Sequence, residues 1–133
     1  MRVVAAIFVA VHGLGHVIWF MSTWAQPALG REGRVELEAR RSYFLVEPIE
    51  VAGKVLGILS LLVLVGFGAA AWGIGIQAPW WPEVLIGSAV VSLPVVIAMW
   101  NPVGTVSARA FLADLVLAAA AFMPWGEKIL GAH

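Results

Sequence analysis

Four apolar stretches constrain what this chain can fold into: Val3 to Trp24, Pro48 to Ile74, Glu83 to Trp100, and Val106 to Pro124. A bilayer core about 30 Å thick is crossed by about 20 helical residues, with a working range of roughly 17–25. Two of the stretches meet that length comfortably, and the last two lie near its short limit. A β-barrel is the other way to cross a bilayer, but it requires alternation of apolar and polar residues along each strand. Blocks such as Leu-Leu-Val-Leu-Val at 61–65 and the four alanines at 118–121 do not alternate. The expectation is an all-α, integral membrane four-helix bundle, one domain over residues 1–133, with a polar loop at about 25–47.

Composition agrees. Hydrophobic residues make up 62% of the chain and charged residues 12%, about half the charge load of an ordinary soluble domain. The formal net charge is zero and the eight basic residues are dispersed, so no nucleic-acid footprint is present. There is no cysteine, which excludes disulfides, thiolate metal sites and cysteine nucleophiles.

Tryptophan favours the membrane–water interface, and Trp24, Trp72, Trp80, Trp81, Trp100 and Trp125 all fall at proposed helix ends; Trp19 alone lies inside a span. Proline marks the connections, with Pro48 and Pro82 suited to a first helical turn. Pro94 is internal and predicts a kink in the third helix, freeing a carbonyl near Val90. Arg31, Arg34, Arg40, Arg41, Lys54 and Arg109 share one side of such a bundle, against Arg2 and Lys128 on the other. The positive-inside rule then places both termini outside, in a multi-pass protein of a bacterial inner membrane. A cleaved signal peptide is the competing reading of the N-terminal run. The run's uninterrupted length, its two histidines and the poor cleavage site T-W-A at 23–25 disfavour it.

Each span carries a polar group near its middle. His12 and His16 lie four residues apart, hence on one helix face. Ser60 is central in the second span, Ser88 and Ser92 in the third, and Asp114 in the fourth. A charged group facing hydrocarbon costs about 2.5–3.5 kcal/mol on the insertion scale, so these residues are expected to converge on a polar centre. Such a centre suits metal binding by His12 and His16, haem ligation, proton relay with Asp114, or recognition of a polar ligand head group such as a quinone carbonyl. Interhelical hydrogen bonding alone is the plainer explanation. The H-x-x-x-H spacing lacks the glutamate of the zinc-protease motif.

Gly13 and Gly15 flatten the helix beside the imidazoles. Gly53 and Gly57 form a G-x-x-x-G that reads as a helix-packing face. Glu47 and Glu50 flank Pro48 and favour the positive end of the second helix. Arg109 is placed to snorkel to the interface.

The layout of four short apolar helices with a polar first loop resembles the DoxX-like group of small bacterial membrane proteins. H-G-L-G-H at 12–16 is also similar to an H-G-x-x-H signature of uncharacterised bacterial four-helix proteins. That resemblance implies a redox- or quinone-linked membrane subunit and carries over no catalytic residue. The leading functional reading is a small non-catalytic subunit or binding protein whose His12/His16 face receives haem, a quinone or a divalent metal. The alternatives are a membrane enzyme with His/Asp acid–base chemistry on a lipid-soluble substrate, a structural accessory subunit, and transport or proton conduction. The expected partners are the lipid bilayer and a homo-oligomer or larger membrane complex, with no nucleic acid.

Overall fold

The computed structural model describes residues 1–24, 51–100 and 105–123, all helical apart from short turns and helix ends, with no strand among them. The helices are α1 (Arg2–Gly15), α2 (Val17–Trp24), α3 (Val51–Ile76), α4 (Trp81–Ala98) and α5 (Thr105–Phe122). α1 and α2 form one rod interrupted only at His16. That rod, α3 and α4 are each long and apolar enough to cross a membrane. The loop at 25–47, with Glu47 and Glu50, lies outside the described residues, as do Pro48, Pro124, Trp125 and Lys128.

The break at His16 is local. The His16 N–H donates to the Gly13 carbonyl at 3.0 Å, a tightened three-residue turn, and Phe20 N–H then resumes the four-residue pattern on His16 O at 3.3 Å. α3 ends two residues later than its apolar run suggests. Gln77 takes the left-handed conformation (φ 58°), and Ala78 N–H reaches back to Gly73 O at 2.9 Å. This six-to-one closure is a Schellman ending built without glycine at the left-handed position. α4 starts promptly, with Pro82 in its first turn and Glu83 beside its positive end. It runs through Pro94 without interruption, so the expected disruption there does not end the helix.

α3 is the central rod. α1, α2 and α4 pack against it and α5 packs on α4, while α1 and α5 touch only sparsely. Phe67 of α3 is fully buried among Val9, Leu85, Ala89 and Leu117, and a second cluster joins Trp19 to Val95, Val96 and Met99. The outside is apolar as well: Val3, Ile7, Val11, Ile18, Val55, Leu62, Val65, Val90, Leu112 and Val116 are all exposed. Trp24, Trp72 and Trp80 are exposed near helix ends, whereas Trp81 is buried in the core rather than in an interfacial belt.

Close approach between rods depends on small residues. Gly57 faces Thr23 and Trp24 of α2, where the Thr23 hydroxyl donates to its own helix at Trp19 O (3.1 Å) and Phe20 O (2.9 Å). At Gly13, an added Cβ would stand 2.7 Å from the Cβ of Phe67, while at Gly15 it would meet nothing within 4 Å. Gly13→Ala is therefore expected to lower stability by about 1–3 kcal/mol through overpacking, and Gly15→Ala to be neutral or mildly stabilising through helix propensity. Thermal unfolding of both variants in one detergent checks the contrast; equal melting would refute the Gly13–Phe67 contact.

Candidate functional site

A tetrad of side chains from three rods meets in the interior. α1 contributes His12 and the residue that closes it contributes His16; α4 supplies Ser92 and α5 supplies Asp114. His16, Ser92 and Asp114 have no accessible surface, and the side chain of His12 is 9% exposed. Phe67 of α3 forms an apolar wall, edge-on to the His12 ring at 4.9 Å and nearly parallel to the His16 ring at 5.8 Å. Trp19 packs against His16 from one turn further on, with ring centroids 5.3 Å apart.

Hydrogen-bond capacity fixes the proton positions. The Ser92 hydroxyl has one hydrogen, which it donates to Asp114 Oδ2 at 2.5 Å. Its oxygen then accepts from His16 Nε2 at 3.1 Å, so that nitrogen carries a hydrogen. The His12 Nε2–H donates to Asp114 Oδ1 at 2.7 Å, a contact that becomes an ion pair when the imidazole is protonated. Asp114 thus has a donor on each oxygen. With Nε2 protonated, neutral His16 presents a bare lone pair at Nδ1, which is buried and has no hydrogen-bond partner. Among the described residues, no lysine or arginine pairs with Asp114.

The four residues that meet, His12, His16, Ser92 and Asp114, were candidates on sequence grounds. Ser60 and Ser88 are buried too, but their hydroxyls return to their own helices, to Leu56 O at 2.9 Å and Val84 O at 2.7 Å. The arrangement of six polar residues expected from the sequence is corrected to a tetrad. In an apolar environment a serine without an interhelical partner is satisfied by its own i−4 carbonyl, and Ser60 and Ser88 take that route. Gly53 and Gly57 are buried in α3, Gly57 against α2. Arg109 is exposed.

A cleft of about 460 Å³ opens where the α1–α2 rod and α5 separate. Phe8, Val11, Trp19, Ala110 and Ala113 line it, Arg109 borders it, and it reaches both histidines. Gly15 also lines it, with open space where a side chain would begin. Phe67, Trp19 and the α5 alanines had no assigned role from sequence. Trp19 was visible as the one tryptophan inside a span, but nothing in spacing alone tied it to His16. A second hollow between α3 and α4, about 350 Å³, is lined by Leu59, Leu62, Val63, Val84 and Val91 with Ser88 and contains no titratable group.

No family model, curated protein or solved structure matches the chain. The chemistry of the site therefore rests on its own residues. Ser92→Ala removes a donor from Asp114 and an acceptor from His16, and is expected to cost about 1–3 kcal/mol as both buried groups lose a partner. Ser60→Ala and Ser88→Ala are expected to cost under about 1 kcal/mol, since a backbone carbonyl that already serves the helix loses only a second donor. Unfolding of the three variants in mixed micelles gives the ranking; a Ser92→Ala cost no larger than the other two would refute the network.

Proposed function

We propose that this is a small four-helix bundle of the bacterial inner membrane, both termini outside, that binds a lipophilic ligand with a carbonyl or hydroxyl head group, of the quinone class. The bundle is polar inside and apolar outside, with Val, Leu and Ile exposed along every rod and His16, Ser92 and Asp114 buried. That inverted arrangement suits hydrocarbon as the surrounding solvent. The six-to-two distribution of basic residues supports the orientation.

The observation that carries the ligand reading is the cleft, which has apolar walls and ends at His12, the one partly accessible imidazole among the described residues. Apolar pockets with few convergent polar groups are the common form of a small-molecule site. Asp114 holds His12 by Nε2, which leaves Nδ1 of the neutral ring as an acceptor for a ligand hydroxyl. A protonated ring donates instead, to a ligand carbonyl. Gly15 leaves room for a flat ring beside it. A site of this kind serves a subunit of a homo-oligomer or of a larger membrane complex.

The His12–Asp114 contact also has the form of an oriented general base, which favours acid–base turnover of a lipid-soluble substrate as the second reading. Asp114→Asn separates the two, since binding would persist while turnover is lost.

The test is a titration of the detergent-purified protein with decylubiquinone, followed by quenching of tryptophan fluorescence, with Trp19→Phe reporting the share due to Trp19. Saturable binding is expected. His12→Ala should weaken it about tenfold, as for loss of one hydrogen bond of about 1.4 kcal/mol. Ala113→Leu, which fills the cleft without touching the tetrad's polar atoms, should weaken it at least as much. Unchanged affinity in both variants would overturn the reading.

A further inference from the structure

We propose that His12, His16 and Asp114 together hold one divalent first-row transition-metal ion, with Ser92 positioning the carboxylate. The inference goes beyond binding of a lipophile in the cleft and does not depend on it.

Three observations carry it. The first is convergence: one ligand-type atom from each of the three residues lies within 4.8 Å of the other two, in a setting where His16 and Asp114 are fully buried. Metal–nitrogen and metal–oxygen bonds of about 2.0–2.2 Å place ligand atoms of a tetrahedral ion about 3.3 Å apart. The separations here, from 2.7 Å between His12 Nε2 and Asp114 Oδ1 up to that limit, bracket this spacing.

The second observation is the stranded nitrogen. With Ser92 committed to Asp114, His16 Nδ1 has no partner and no access to solvent. A lone pair of that kind is uncommitted within the protein and can take a cation, and the Nε2–H bond to Ser92 has the form of the outer contact that metal-bound histidines commonly have.

The third is charge. Asp114 is a carboxylate in an apolar interior with no lysine or arginine partner among the described residues. A cation at the cluster compensates it: with Ser92 on Oδ2, the ion takes the place of the hydrogen between His12 Nε2 and Asp114 Oδ1, and His12 ligates as the neutral ring with its hydrogen on Nδ1.

Two imidazoles and one carboxylate, in a chain without cysteine, suit zinc, copper(II), iron(II) or manganese rather than soft monovalent ions. Three protein ligands leave a coordination position open, as in sites that bind an exogenous ligand.

The test uses the full chain purified in detergent without a polyhistidine tag, stripped with chelator, and titrated with Co²⁺ in the absence of any quinone. One equivalent per chain is expected, with visible d–d absorption that Zn²⁺ abolishes. His16→Ala and Asp114→Asn should weaken binding at least a hundredfold with helical circular dichroism retained. His133→Ala should leave it unchanged. Ser92→Ala should keep one equivalent at tenfold to hundredfold lower affinity, and Ser92→Thr should restore it, which a purely structural role would not predict. Absence of saturable Co²⁺ binding by the wild type overturns the proposal. Equal binding by wild type and His16→Ala overturns it as well. If His16→Ala does not fold, the wild-type stoichiometry and the Ser92 series still decide. Quinone binding by the metal-stripped protein is measured separately, so either proposal can fail alone.

Discussion

The carboxylate of Asp114 is the group on which the interior depends. Buried among apolar side chains, an unpaired charge is costly, so each of its oxygens needs a donor from another rod. Oδ1 has His12 from α1 and Oδ2 has Ser92 from α4. The first bond ties α5 to α1 across a seam where the backbones barely touch, and the second ties α5 to α4. The apolar contacts contribute shape, but burial of apolar surface is non-directional. Directed hydrogen bonds from one buried carboxylate define which face of α5 turns inward.

That requirement also accounts for the form of the first rod. For His12 and His16 to address α5 and α4 together, α1 must lie close enough to α3 for Phe67 to fit behind both rings, and Gly13 is the residue that permits the approach. The turn then tightens at His16, between Gly15 and Val17, which sets the second imidazole beside Ser92. Local tightening of a helix at a functional group is a recurring device. Gly13 and Gly15, two residues apart and so on opposite sides of the helix, face protein and cleft respectively.

Much of this was legible in the sequence, for reasons that can be stated residue by residue. Hydropathy and proline placement locate the rods because each is one long apolar run and the prolines other than Pro94 fall outside the runs or at their ends. Position along the apolar runs brings His12, His16, Ser92 and Asp114 to one level, and the cost of leaving such groups unpaired among apolar side chains turns them toward one another. Depth does not fix rotation about each helix axis. Ser60 and Ser88 are at the right level and buried, yet they bond to their own helices, because a hydroxyl always has a local carbonyl available and an imidazole or carboxylate does not. The same lack of rotational information hid Phe67 and Trp19. Trp81 shows the converse: its position at a helix start suits an interfacial ring, but the small Gly73 opposite it admits the side chain into the core.

His12 is where interior and surroundings meet. Its Nε2 belongs to Asp114, while the ring borders a cleft open between the first and last rods. Any change in charge at the buried cluster, whether a proton on the imidazole or a cation shared with His16, alters what the same ring offers to a molecule in the cleft. A neutral ring held by Asp114 accepts at Nδ1 and a protonated ring donates there. The coupling needs no moving helix, because the two nitrogens belong to one rigid aromatic ring. Under the proposed function, buried charge state and ligand choice are thus linked through a single side chain.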